Sequence, residues 1–134
     1  MRILKISDGN FTCKEIDGDL KSLQKEVGGL ITLAPHFDEL TEMGIDIYAD
    51  DEGLLKSDPK ISMVVLNGER GYIESVLVGN LIFVGHDNDG NTKGLTDEQL
   101  VFIYDHLERV FLTATSTGKI ETAFTFIFEE DKKH

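Results

Sequence analysis

Residues 76–85, VLVGNLIFVG, are the most continuous apolar run in the chain and decide its fold class. The run is short for a helix and rich in Val, Leu and Ile, a composition and length that favour a buried strand. We therefore predict a central strand that is buried on both faces. Gly79, inside the run, predicts a bulge or a close packing approach at that point.

The clearest helix signal follows this strand. Residues 96–99, TDEQ, form a capping box, in which the Thr96 hydroxyl and the Gln99 side chain each satisfy a backbone N–H of the first turn. The pattern predicts one long amphipathic helix over about residues 96–110, with an apolar stripe wide enough to lie across a sheet. The stripe consists of Leu100, Ile103, Tyr104, Leu107, Val110 and Phe111.

The N-terminal region predicts a hairpin and a second, shorter helix. Two β-like runs, residues 2–6 and 11–16, flank an Asp-Gly pair at positions 8 and 9, which is a strong signal for a two-residue turn. Asp19 can cap a helix over about residues 19–27, and Gly28-Gly29 supplies its left-handed end. A strand over residues 30–34 follows.

The middle of the chain predicts a hairpin and a brief helix. Residues 45–49 alternate apolar and polar side chains, and the turn at 50–53 gives the hairpin an acidic tip. Pro59 suits the first position of a brief helix over residues 61–66, although the Ile and Val residues of this run also suit a strand.

The C-terminal part predicts a strand extension over about residues 113–128. Phe124, Phe126 and Phe128 fall on one side of its alternating pattern. Rings on one strand face need a cover, so this face either completes the core or forms a homodimer interface. Taken together, the elements predict a single α+β domain over residues 1–134, a mainly antiparallel sheet with the long and the short helix packed on it.

Charge is the unusual property of this composition. The 134 residues contain 25 acids and 13 bases, a net charge of −12, which repels phosphate backbones and anionic lipid. We therefore expect no direct nucleic-acid partner and no membrane partner. The segment from residue 36 to 58 holds a large share of the excess, and it is either a candidate acidic interaction face or simply a solvated one. Its acids are Asp38, Glu39, Glu42, Asp46, Asp50, Asp51, Glu52 and Asp58.

Motifs for catalysis, cofactors or metals are not found. Residues 86–91, HDNDGN, resemble the start of a calcium loop, but placing Gly90 at the sixth position leaves no acid at the first or the twelfth. The single cysteine, Cys13, predicts a packed strand residue. No apolar run reaches the length of a membrane span, and the N-terminus lacks the apolar region of a signal peptide, so we expect a cytoplasmic protein.

Four stretches in the right order resemble the domain-of-unknown-function family numbered 3846. They are residues 15–31, 49–55, 78–85 and 95–99, and the shared pattern runs from about residue 2 to 108. The family usually has Gly-Thr-Phe-Phe where this chain has residues 79–82, GNLI, and an Asn-Arg-like helix start where it has Pro59-Lys60. The resemblance implies a small cytosolic protein of bacteria, their phages or mobile elements, and it implies no catalytic residues.

Three functional hypotheses follow. The first is an acidic interaction module, which would inhibit a host defence or nucleic-acid-handling protein by mimicking DNA or by filling that protein's basic surface. The second is a sponge for a nucleotide-like small ligand, which would require Lys5, Lys14, Arg70 and Lys93 to converge. The third, an enzyme, would require a buried carboxylate or His86 in a cleft.

Overall fold

The computed structural model describes residues 1–34, 37–53, 60–67, 72–113, 118 and 120–128. Within these ranges the chain forms ten strands and three helices. In chain order they are β1 (Arg2–Ser7), β2 (Asn10–Glu15), α1 (Leu20–Val27), β3 (Ile31–Leu33), α2 (Asp38–Glu42), β4 (Ile45–Asp50), β5 (Ile61–Asn67), β6 (Tyr72–Val78), β7 (Leu81–His86), β8 (Thr92–Lys93), α3 (Asp97–His106), β9 (Leu107–Thr113) and β10 (Ile120–Phe126).

The described strands form two sheets. The first has the order β2-β1-β7-β4-β3, with the short β8 also paired to β7, and every pair in it is antiparallel. The second has the order β6-β5-β10-β9 and contains one parallel pair, β5 with β10. The predicted α+β class with mainly antiparallel strands is therefore confirmed.

Three layers follow from the burial of alternate side chains. On one face of the first sheet, Ile3, Ile82 and Val84 pack against Leu23 and Val27 of α1. The other face packs against the second sheet together with α2 and α3, and this larger core holds residues from both sheets. Because period-two alternation sends neighbouring side chains to opposite faces, the central strand β7 contributes to both cores.

The predicted N-terminal hairpin and short helix are present. Asp8 and Gly9 both have positive φ, 52° and 80°, and Ser7 pairs with Asn10 across the turn. The Asp19 carboxylate accepts a hydrogen bond from the Ser22 N–H at 2.9 Å and so caps α1.

The single central strand predicted over residues 76–85 is wrong, because a turn divides the run. Gly79 has φ +74°, and its N–H donates to the Lys60 carbonyl at 2.9 Å. The residues before it end β6 in the second sheet, and those after it start β7 in the first. Two strands from different sheets can share one apolar run because both contribute to buried cores, and composition alone does not mark the change of sheet.

The long helix predicted over residues 96–110 is also too long. Helix α3 ends at His106, and Leu107 has extended angles, φ −76° and ψ 125°. Strand β9 then pairs with β10 at seven consecutive positions. Val110 and Phe111 fit helical spacing, but β-branched and aromatic residues also favour strands, and the pairing with β10 decides between the two.

Two further predictions in the middle of the chain are wrong. Residues 61–66 belong to strand β5, the alternative for this run, and not to a brief helix, since the stretch pairs with β6 on one side and β10 on the other. The strand over residues 45–49 has the predicted alternation, but its neighbours are β3 and β7, so it does not form a hairpin with the strand that follows it.

Candidate functional site

The acidic residues predicted as one face lie at the two ends of β4. Asp38, Glu39 and Glu42 belong to α2, and Asp46 lies near the start of β4. The six residues of β4 place its two ends roughly 17 Å apart at about 3.3 Å per residue. The structure therefore separates the acids of α2 from those at the far end of β4, which are Asp50, the last residue of the strand, and Asp51 and Glu52 after it. The eighth predicted residue, Asp58, lies outside the described residues.

Asp50 has a local role in the fold. Its side chain is buried, and its Oδ1 accepts a hydrogen bond from the Glu52 N–H at 3.0 Å. Gly29 approaches so closely that a Cβ atom there would stand 2.7 Å from the same oxygen. The Asp50 carboxylate is thus enclosed by backbone, whereas Asp51 and Glu52 are exposed.

The α2 end of the molecule contains a groove of about 600 Å³. It lies between the end of α2 and the loop that follows β7, and the N-terminal turn of α3 contributes to it. The groove brings the predicted Glu42 together with His86, two residues far apart in sequence. Its lining consists of Thr41, Glu42, Met43, Gly44, His86, Asp87, Asn88, Gly90, Lys93 and Gln99.

His86 is held beside this groove by Asp46. The His86 Nδ1 lies 2.9 Å from the Asp46 Oδ2, and the His86 backbone N–H donates to the Gly44 carbonyl at 2.9 Å. An ionised carboxylate only accepts hydrogen bonds, so the imidazole donates from Nδ1 and keeps Nε2 for another partner. The third hypothesis required His86 in a cleft, and the structure places it on the groove wall.

The loop after β7 uses its first acid to fix its own shape. The Asp87 carboxylate accepts hydrogen bonds from the backbone N–H groups of Asp89 and Asn91, each at 2.9 Å. The hydrogen bond from the Asn91 backbone is the largest of the causes that hold the pKa of Asp87 below its usual value. Over the residues that the structure describes, no three His, Cys, Asp or Glu side chains are grouped as metal ligands.

Gln99 joins the groove to α3. The capping box is present as predicted, since Gln99 Oε1 accepts from the Thr96 N–H and the Gln99 N–H donates to the Thr96 hydroxyl. In addition, Gln99 Nε2 donates to the carbonyls of Met43, at 2.8 Å, and Gly44, at 3.1 Å. This second role was not predicted, although an amide with its oxygen used in a capping box still has two N–H donors to place.

Of the four bases that a nucleotide-like ligand would require, Lys5 and Lys14 do lie close together, but both contact the carboxylate of Glu26. Lys5 Nζ lies 3.1 Å and Lys14 Nζ 2.9 Å from the same Glu26 oxygen. Burial raises the pKa of Glu26, but the hydrogen bonds and positive charges of Lys14 and Lys5 outweigh burial and hold that pKa below its usual value. Lys93 lies at the groove instead. Arg70 lies outside the described residues.

The sequence analysis did not identify Glu26, although its position in the helix indicates an acid on the buried face. It follows Leu23 by three residues and precedes Val27, both of which are buried on the inner face of α1. Residues three apart lie on the same face of a helix. An acid on that face needs a positive partner on the sheet beneath it, and Lys5 and Lys14 supply it.

The three C-terminal phenylalanines are buried in the core of the domain. Phe124, Phe126 and Phe128 are 2%, 3% and 5% exposed, and all three belong to the core between the sheets. The Phe37 ring lies against both Phe126 and Phe128, with centroids 5.4 and 5.6 Å apart. Cys13, predicted as a packed residue, is exposed on the edge strand β2, so that prediction is wrong.

Comparison with known proteins identifies one family. Residues 1–108 match the family model described as "Domain of unknown function (DUF3846)", which confirms the resemblance seen in the sequence. No curated protein and no solved structure matches the chain. None of the described helices is long and apolar enough to cross a membrane.

Proposed function

Because this chain belongs to the DUF3846 family, whose description names no activity, we propose its function from the geometry: it is a module that binds a basic protein surface at its α2 end. One observation carries the proposal. Asp38, Glu39 and Glu42 make no ion pair with any residue that the structure describes. These charges therefore face a partner or solvent.

Three of the bases that the structure describes form ion pairs away from α2. Arg2 pairs with Asp97 at 2.8 Å, and Lys5 and Lys14 pair with Glu26. Among the groove residues, Lys93 is the one lysine or arginine. With a net charge of −12 on the whole chain, a basic surface would be attracted over roughly a Debye length of 8–10 Å at physiological salt.

We further propose that the partner handles nucleic acid. A protein that binds phosphates presents a row of lysines and arginines, and carboxylates on a rigid frame can occupy the same row. The frame here is α2, which is held by the hydrogen bonds of Gln99 to the turn that follows it. The bacterial, phage or mobile-element context that the family resemblance implies would make such binding an inhibition of host defence.

Capture from a bacterial lysate tests this proposal. The immobilised chain is compared with a variant that removes three charges from α2, D38N/E39Q/E42Q. A matched control, D17N/D51N/E52Q, removes three exposed charges away from the groove. We expect the wild type and the control to retain a partner at low salt and release it at high salt, and the α2 variant to lose it.

The outcomes that contradict the proposal are equally defined. Retention by the α2 variant would show that these acids are not the contact, and retention independent of salt would remove the electrostatic basis. Excess duplex DNA in the wash distinguishes the class of partner. DNA should displace the chain from a nucleic-acid-handling protein, and a partner unaffected by DNA would overturn that part.

One observation favours a second candidate function, catalysis in the groove. His86 has its Nδ1 fixed by Asp46 at 2.9 Å, an arrangement that prepares an imidazole to act as a general base. Hydrolysis of p-nitrophenyl acetate and bis(p-nitrophenyl) phosphate by the wild type, H86N and D46N tests it. Turnover that falls in both variants would support catalysis, and equal rates for all three proteins would contradict it for these two ester classes.

A further inference from the structure

The outer edge of β9 differs from the other sheet edges that the structure describes. Strand β3 has three residues and β2 has six. The pairing of β6 with β5 contains two register shifts. Strand β9 instead pairs with β10 at seven consecutive positions without a shift. A long, regular edge with unpaired N–H and C=O groups is a template for another strand.

Exposed apolar side chains accompany this edge. Phe111 is 73% exposed and Ile120, on the neighbouring strand, is 66% exposed. Phe111 lies opposite Thr122, and Ile120 lies opposite Thr113, in the β9–β10 register. Directly opposite residues share a face, so Phe111 and Ile120 lie on the same face of the second sheet as Phe124.

From these features we propose that a second copy of this chain pairs its β9 with this β9, in antiparallel fashion, and joins the two second sheets into one. The self-complementarity of β9 selects this occupant, because an antiparallel pairing can place Arg109 of each copy beside the exposed Phe111 of the other, and charge restricts where two copies can meet. Each copy has a net charge of −12, so two copies repel each other over most of their surface. On β9 the charges of Glu108 and Arg109 cancel, and the remaining residues are Leu, Val, Phe, Leu and Thr.

Symmetry and charge also select the register. In an antiparallel two-fold pairing of edges, facing residues point to the same side of the sheet, so the two-fold axis passes beside one residue of β9. That residue faces its own counterpart, and every other residue faces the one an equal number of steps beyond the axis. An axis at Glu108 or at Arg109 would place like charges opposite each other, which destabilises a pair. An axis at Val110, the middle of the seven residues of β9, avoids both like-charge contacts and allows all seven residues to pair.

This register covers the exposed Phe111 ring. Arg109 would lie opposite Phe111 of the partner subunit, and its guanidinium already lies 4.7 Å from the centroid of its own Phe124 ring. The Arg109 Nη1 is also held by a hydrogen bond to the Gly9 carbonyl at 2.8 Å. The guanidinium is thus fixed between two ring positions, and cation–π contact with the partner's Phe111 would complete the site.

Molar mass in solution is the first test. Sedimentation of the full chain over a hundredfold dilution series should show twice the mass of one chain at high concentration. F111D should sediment as a single chain throughout. The matched control I73D changes an exposed apolar residue on the opposite edge of the same sheet, and it should dimerise like the wild type. A single-chain mass for the wild type at every concentration, or dissociation by I73D in place of F111D, would overturn the proposal.

Cross-linking tests the register. In a C13S background, which removes the one natural thiol, V110C should form an intermolecular disulfide with diamide as the oxidant, because facing Cα atoms lie about 4.5–5.5 Å apart. L112C is the control, since its two copies would lie roughly 14 Å apart. A cross-link through L112C, or none through V110C in a protein that dimerises, would overturn this interface.

Discussion

Lys14 Nζ and Glu26 Oε1 lie 2.9 Å apart, and this contact joins the edge strand β2 to helix α1. Lys5, on the neighbouring strand β1, reaches the same oxygen at 3.1 Å. The carboxylate is buried beside Leu23 and Val27. Helix α1 is therefore held on the first sheet by a charge cluster as well as by apolar packing.

We predict that E26Q destabilises the fold by about 1.5–3 kcal/mol, the usual contribution of hydrogen bonds to a charged group. The change keeps the shape of the side chain but leaves the ammonium groups of Lys5 and Lys14 without their counter-charge. Urea unfolding at pH 7 measures the loss. The control E15Q alters an acid that is 74% exposed, so its effect should stay within about 0.5 kcal/mol. Equal losses in the two variants would contradict the role assigned to Glu26.

The difference in stability between the wild type and E26Q should depend on pH. The pKa of Glu26 is lower in the folded chain than its usual value, so the folded state favours the ionised form. Its stabilising contribution is complete above the unfolded-state pKa, about 4.3, and is lost as the pH falls through the lower folded-state pKa. The stability difference between the wild type and E26Q should therefore shrink between pH 7 and pH 3. A difference that stays constant over this range would show that the charge of Glu26 does not contribute.

A second prediction concerns the contact between α3 and the turn after α2. Q99A removes the two hydrogen bonds to Met43 and Gly44 and one half of the capping box. We expect a loss of about 1–3 kcal/mol, because the part-buried Met43 carbonyl loses its side-chain donor and the Gly44 carbonyl keeps only the His86 N–H. E98A, at the exposed neighbouring position, is the control and should lower the melting temperature far less. A similar melting temperature for the two variants would mean that the Gln99 side chain does not hold the turn.

Gln99 also shows where the sequence analysis succeeds and where it stops. The capping box is a local pattern of four residues, and both of its hydrogen bonds were predicted. The bonds from Gln99 to Met43 and Gly44 span more than fifty positions. The starts of α1 and α3 and the first hairpin depend on neighbouring residues, so one sequence predicts them well, whereas the short helix α2 was not predicted.

The errors occur where a local pattern fits two structures. The run around Gly79 is apolar on both sides, and the change from one sheet to the other depends on which partners β6 and β7 find. Val110 and Phe111 fit a helix stripe until β10 pairs with them. The groove was not predictable from local patterns, because Glu42 and His86 line the same groove only after β4 pairs with β7.

A third prediction compares two glycines near the groove. Gly44 and Gly90 both have positive φ, +74° and +83°, so alanine is strained at either position. A Cβ atom at Gly90 would meet open space, whereas one at Gly44 would lie 3.2 Å from Gln99 Nε2 and 3.3 Å from the His86 carbonyl oxygen. We expect G90A to cost about 1 kcal/mol and G44A clearly more, as measured by thermal unfolding. A larger loss from G90A would contradict the crowding at Gly44.

The last prediction concerns the boundary of the family match, which ends at residue 108, two residues into β9. The core between the two sheets includes Phe124, Phe126 and Phe128, all of which lie beyond that boundary. Without them Met63 on β5 loses its neighbour Phe124, and Phe83 on β7 loses the ring of Phe126. We therefore expect a chain that ends at residue 108 to show no cooperative thermal transition and to bind a dye that reports exposed apolar surface.

The full-length F126A variant provides the graded comparison for this boundary. It removes one of the three rings and should cost about 3–5 kcal/mol while keeping a single transition, because the rest of the core still joins the two sheets. Circular dichroism and calorimetry compare the three proteins. If the chain ending at residue 108 unfolded cooperatively with the stability of the full chain, the matched region would have a core of its own, and the second sheet would not be an integral part of the domain.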